Sequence, residues 1–89
     1  MRISEGFKMR DLCGVNIVTP SGLDQINFNK MLTLNETAAF LWTAVQGIDF
    51  NAETLADLLT GEYEVSRELA LSDAEKLIED WRTAGVLED

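Results

Sequence analysis

The chain has 89 residues, enough for one small domain with a single hydrophobic core. Its formal net charge is −9, and it contains one cysteine and no histidine. A lone cysteine excludes an internal disulfide, and the absence of histidine removes the commonest general base and the commonest metal ligand. The composition therefore argues against an enzyme, and we expect no catalytic residue, no metal and no cofactor.

The sequence also bears on where the protein works. No apolar run is long enough to span a bilayer, and residues 1–4 are too polar for a signal peptide. We therefore expect a cytoplasmic protein that does not enter a membrane.

Charge is distributed unevenly along the chain. Residues 1–34 carry four basic and three acidic side chains, a net +1, whereas residues 35–89 carry three basic and thirteen acidic ones, a net −10. An acidic surface repels the phosphate backbone, so nucleic-acid binding is not expected. The acidic half could attract a basic partner, although the simpler interpretation is a solubilising surface.

The first third of the chain is predicted to form strands. Residues 7–13 alternate apolar and polar, Gly14 provides a turn, and residues 15–19 are rich in β-branched side chains. Turn residues at 20–22 precede a third predicted strand at about residues 24–31. Three short strands joined by tight turns are best built as an antiparallel meander. The side chains expected on the buried side of the first strand are Phe7, Met9 and Leu12.

The rest of the chain is predicted to form three helices, at about residues 36–46, 52–60 and 67–84. Each begins in the same way, with an apolar residue before a capping residue: Leu34-Asn35, Phe50-Asn51 and Val65-Ser66. Each is predicted to end at a glycine: Gly47, Gly61 and Gly85. The apolar residues predicted to form the buried faces are Ala38, Leu41, Trp42, Val45, Leu55, Leu58, Leu59, Ala70, Ala74, Leu77, Ile78 and Trp81.

The predicted fold is thus α+β, one domain over residues 1–89 with a three-stranded antiparallel sheet (about residues 7–31) followed by three helices. The last two helices are spaced like those of a winged helix-turn-helix.

Several side chains have competing interpretations. Cys13 is expected to be a buried structural cysteine, because no cationic neighbour is assured. Trp42 and Trp81 are expected in the core. Asp73 lies at the edge of an apolar face, where it could receive a partner's amide or basic group, or bond within its own helix or face water.

The third strand is a candidate binding element. Both outer strands of a meander are edges with unpaired amides and carbonyls, and a free edge beside a helix can accept an extended peptide as an added strand. The alternative is an edge blunted by Asn27, Asn29 and Lys30. The residues alone favour this alternative.

Several motifs resemble the coenzyme PQQ synthesis protein D (PqqD) family over about residues 7–87. They are Leu-Asn-Glu-Thr-Ala-Ala-Phe-Leu-Trp at 34–42 with Gly47 downstream, Leu-Ala-Asp-Leu-Leu at 55–59, Tyr-Glu-Val at 63–65, Ser-Asp-Ala at 72–74, and Trp-Arg-Thr-Ala-Gly-Val-Leu at 81–87. Gln46 and Ala74 depart from the residues common in the family at those positions.

This resemblance implies a winged-helix-like peptide chaperone, or RiPP recognition element, that has no catalytic activity. Such a domain binds the leader of a ribosomally made precursor peptide and presents the core to a modifying enzyme, frequently a radical SAM protein. The leader is expected to add a strand to the third strand and to contact the third helix. The implied peptide-binding residues are Gln25, Ile26, Asn27, Phe28, Asn29, Asp73, Lys76, Leu77 and Asp80. Residues 34–38 are then expected to shape the groove without being the binding surface.

The family resemblance therefore reverses the preference for a blunted edge. The predicted function is leader-peptide binding in PQQ biosynthesis or another peptide-modification pathway, by a monomer or weak homodimer. Two alternatives remain at this point: a winged-helix DNA-binding regulator and a small structural dimerisation domain.

Overall fold

The computed structural model describes residues 1–20 and 32–88, and it has the predicted α+β architecture. The elements in chain order are β1 (Arg2–Ile3), β2 (Phe7–Leu12), β3 (Val15–Pro20), β4 (Leu32–Leu34), α1 (Glu36–Ala44), α2 (Ala52–Glu62), α3 (Arg67–Ala84) and β5 (Leu87–Glu88). A three-stranded antiparallel sheet is thus followed by three helices, an order compatible with a winged helix-turn-helix.

The main sheet has the order β2-β3-β4. β2 and β3 form a hairpin in which Leu12 lies opposite Val15, and β3 pairs with β4 so that Val18 lies opposite Leu32. The predicted third strand at residues 24–31 lies outside the described residues. The described third strand, β4, begins directly after it.

The helices begin at the predicted capping residues. The side chains of Asn35, Asn51 and Ser66 each accept a hydrogen bond from the backbone amide three residues later. Asn51 and Thr54 also form a reciprocal capping box, because the Thr54 hydroxyl accepts from the Asn51 amide. These bonds satisfy amides that the first helical turn leaves without partners, so each helix start is fixed locally.

The helix ends follow the predictions less closely. α3 ends as predicted, with Gly85 in the left-handed conformation at φ 77°. α1 ends at Ala44, and the left-handed Gly47 lies three residues further on. The prediction that Gly61 ends α2 is wrong, because Gly61 lies inside a helix that continues to Glu62.

The core lies between the inner face of the main sheet and the three helices. Trp81 is fully buried, and its ring meets Trp42 and Phe50 edge to face at centroid distances of 5.3 and 6.1 Å. The predicted core positions Leu58 and Leu77 are only half-buried. Further buried members of this cluster are Val18, Leu34, Ala38, Leu41, Val45, Leu55, Leu59, Ala70, Ala74, Ile78 and Val86.

A second small sheet joins the two ends of the described chain. β1 pairs antiparallel with β5, with Ile3 opposite Leu87, and the Ser4 amide donates to the Val86 carbonyl at 2.9 Å. The Phe50 amide donates to the Met1 carbonyl at 2.7 Å, so β1 also contacts the segment between α1 and α2. Neither strand was predicted, since two residues are too few to show a period.

Two predictions about the β2–β3 hairpin are wrong. Leu12 is 51% exposed and Cys13 is exposed, although both were expected to be buried. Both lie at the tip of the hairpin, beyond the reach of the helices that cover the rest of the sheet. Cys13 adopts a left-handed conformation (φ 54°) before Gly14 (φ 83°), which shows that the turn chemistry determines its position.

Candidate functional site

A cleft of about 300 Å³ lies between the first turns of α1 and the middle of α3. The residues that line it are Asn35, Thr37, Ala38, Leu41, Leu59, Asp73, Lys76, Leu77 and Asp80. Asn35 follows directly after β4, so one end of the cleft lies next to the end of that strand.

The four α3 residues predicted from the family resemblance all line this one cleft. Asp73, Lys76, Leu77 and Asp80 are spaced at i, i+3, i+4 and i+7, which places them on one face of a helix. The five predicted strand residues, Gln25 to Asn29, lie outside the described residues. The structure therefore brings together the helical half of the predicted site.

The other side of the cleft was not predicted to be a binding surface. Asn35, Thr37, Ala38 and Leu41 come from α1 and its cap, and Leu59 comes from α2. Residues 34–38 were expected only to shape the groove, and the apolar positions Leu41 and Leu59 were expected in the core. Only the packing of α1 against α3 shows that these residues share a surface with Asp73 and Asp80.

The floor of the cleft is apolar, and its rim is charged. Ala38, Leu41 and Leu59 are buried and Leu77 is half-buried, whereas Asp73, Lys76 and Asp80 are exposed. Across the described residues, neither Asp73 nor Asp80 has an ion-pair partner within 4 Å, although Lys76 lies between them on the helix. An apolar floor beside polar groups that lack partners is typical of a binding surface.

The position of β4 in the sheet provides a second feature of the site. Among the described strands, β4 pairs with β3 and no other strand, so it is the outermost described strand on that side of the sheet. An edge strand presents backbone amides and carbonyls that another extended chain can pair with. β4 and the cleft thus place strand backbone groups next to a surface lined by side chains.

Another depression lies on the opposite side of α1, against β2. Its volume is larger, about 530 Å³, and its lining is mostly apolar. The residues that line it are Met9, Asn16, Glu36, Ala39, Phe40, Thr43 and Ala44. It has one charged lining residue, whereas the α1–α3 cleft has three. The α1–α3 cleft is therefore the better candidate for a specific site.

No arrangement suited to metal chemistry is present in the described ranges. No group of three or more cysteine, aspartate or glutamate side chains there is close enough to hold a metal ion. No helix in the same ranges has the length and hydropathy needed to cross a membrane.

The sequence model of the coenzyme PQQ synthesis protein D (PqqD) family matches residues 16–87. The chain belongs to the PqqD family. This is a family of the RiPP recognition element type, and its members are non-catalytic accessory proteins in PQQ synthesis, which points to a role in a peptide-modification pathway. No curated protein and no solved structure is significantly similar to the chain.

Proposed function

We propose that this protein binds the leader segment of a ribosomally synthesised precursor peptide and presents the peptide to a modifying enzyme. The observation that carries the proposal is the cleft between α1 and α3, which lies beside β4 and includes all four family-implied α3 residues. Family membership supports the same role.

The proposed binding mode is strand addition. The leader extends the sheet beyond β4 and, in this proposal, beyond residues 25–29, while its side chains contact α3. Backbone hydrogen bonds supply affinity, and pockets for alternate side chains supply specificity. Leu77 provides the main apolar contact on α3, because it is half-buried in the cleft wall.

The proposed partner enzyme performs the chemistry, and this protein contributes none. The product is PQQ or another peptide-derived compound, a radical SAM protein is the proposed type of enzyme, and the cytoplasm is the proposed compartment. A DNA-binding role is disfavoured by the third helix itself, which exposes Glu68, Asp73, Glu75, Glu79 and Asp80.

The binding site is tested by titrating isotope-labelled protein with the precursor peptide encoded beside its gene. Amide signals of β4, residues 25–29 and the cleft face of α3 should shift. Leu77→Ala should weaken binding about tenfold or more, because an apolar contact is lost. Leu69→Ala is the matched control, since Leu69 lies on the same helix, is 50% exposed and does not line the cleft.

The strand-addition mode has its own test. Alternate residues of an added strand direct their amides toward the sheet, so leader peptides N-methylated at odd or at even positions should behave differently. One set should lose binding and the other should retain it. Equal affinity of both sets would contradict strand addition, and saturating peptide without shifts in the cleft would contradict the function.

A further inference from the structure

The charges on the cleft rim indicate what kind of peptide fits. Asp73, Lys76 and Asp80 give the rim a net charge of −1, and residues 35–89, which form most of its surroundings, carry −10. Neither carboxylate is paired within the described chain. A cationic side chain is therefore the complementary group at this rim.

The spacing along α3 shows where that cationic group would lie. With a rise of 1.5 Å per residue, Leu77 is about 6 Å from Asp73 and about 4.5 Å from Asp80 along the helix axis. Side chains on one face of an extended peptide are about 6.7 Å apart, two residues along the chain. For a peptide that runs along α3, an apolar side chain over Leu77 thus places the residue two positions away next to one of the two carboxylates, in either chain direction.

We infer that the cleft selects an extended peptide segment in which a lysine or arginine lies two positions from an apolar anchor. The anchor packs on Leu77, and the cation pairs with Asp73 or Asp80. This inference rests on the peptide-binding function proposed above and adds the specificity of the site.

Lys76 allows a test in which the expected effect is stronger binding. It lies on the same rim, so its ammonium repels the cation of the bound peptide while the two carboxylates attract it. Replacing it with a neutral residue should therefore tighten binding of a basic peptide. General damage to the helix would have the opposite effect.

The experiment starts with a displayed library of random dodecamer peptides selected against the wild-type protein. Selected peptides should be enriched in Lys or Arg two positions from an apolar residue. One such peptide, labelled with a fluorophore, is then measured by anisotropy. The double variant Asp73→Asn with Asp80→Asn should weaken binding of this peptide about three- to tenfold. Lys76→Gln should strengthen its binding about twofold, as expected for exposed charge pairs.

The matched control is Glu75→Gln with Glu79→Gln, which makes the same change in net charge on exposed residues of α3 outside the cleft. It should change affinity less than about twofold near 0.15 M salt, where charges more than about 8 Å apart are largely screened. A version of the peptide with glutamine in place of its basic residue should not distinguish wild type from the aspartate double variant.

The outcomes separate this inference from the proposed function. Peptides that bind the cleft without basic enrichment, or equal losses in the cleft and control variants, would overturn the inference and leave leader binding intact. Failure of the library and of the precursor peptide to bind the cleft would overturn both.

Discussion

Trp81 shows how much one residue can contribute to a core this small. It is fully buried between Trp42 and Phe50, and both ring contacts are edge to face. Its indole nitrogen is also buried and has no hydrogen-bond partner among the described residues. The ring therefore stabilises the fold through packing, and no described residue compensates the N–H for its lost contact with water.

Replacing Trp81 should separate these two effects. Trp81→Ala is expected to lower the free energy of unfolding by about 3–5 kcal/mol, because it leaves a large cavity. Trp81→Phe should cost less than about half of that, since it keeps a ring and removes the N–H that would otherwise cost about 1–3 kcal/mol. Urea denaturation monitored by circular dichroism measures both. Equal losses would show that the N–H has a partner.

Neighbouring residues of α3 differ in whether they face the core or the cleft. Asp73 had alternative interpretations, and the structure places it on the rim of the cleft, without a partner within the described ranges. Its neighbour Ala74, one residue along, is fully buried. Adjacent helical positions thus serve the core and the surface, which is the expected result of the helical period.

Two glycines near the C-terminal ends of α2 and α3 have different structural roles. Gly85 follows α3 with φ 77°, and its amide donates to the Arg82 carbonyl at 3.1 Å. Gly61 lies within α2, and a Cβ added there would meet no atom within 4 Å. The first glycine is required by its conformation, whereas the second is a helix-interior glycine that costs backbone entropy.

Alanine substitutions at these glycines should therefore have opposite effects. Gly61→Ala should raise the free energy of unfolding by about 0.5–1 kcal/mol, because alanine has the higher helix propensity and the lower entropy loss. Gly85→Ala should lower it by about 1–2 kcal/mol, the cost of a left-handed conformation for a residue with a Cβ. Thermal unfolding of the two variants and of the wild type measures both changes. Destabilisation by Gly61→Ala would mean that α2 ends earlier.

At the scale of the whole molecule, the pairing of β1 with β5 connects distant parts of the sequence. Ile3 is 7% exposed and belongs to the core cluster, and it lies opposite Leu87. Backbone hydrogen bonds extend the contact to Val86 and Phe50. The sheet therefore holds the end of α3 and the α1–α2 connection close to β1.

Truncating Ile3 should reveal this role. Ile3→Ala is expected to lower the free energy of unfolding by about 2–4 kcal/mol through the lost apolar burial and the cavity. Glu5→Ala, a nearby exposed control, should stay within about 0.5 kcal/mol. Hydrogen exchange at the Ser4 amide, which donates to the Val86 carbonyl, should accelerate in Ile3→Ala. Unchanged exchange there would contradict a structural role for the pairing.

Features that depend on short stretches of chain could be predicted from the sequence alone. The starts of the three helices follow from Asn35, Asn51 and Ser66, whose side chains bond to amides three residues away. The β2–β3 hairpin follows from alternation on either side of Gly14. Such signals involve a few neighbouring residues, so no knowledge of the fold is needed to interpret them.

Tertiary structure decided which residues share a surface. Leu12 and Cys13 fit a strand pattern, yet they are exposed because none of the described residues packs on the hairpin tip. β1 and β5 each gain their structure from a partner more than eighty residues away. The cleft likewise joins residues of three helices, among them Leu41 and Asp80. Periodicity shows which face of a helix is apolar, but only packing determines which element covers that face and where a cleft remains between elements.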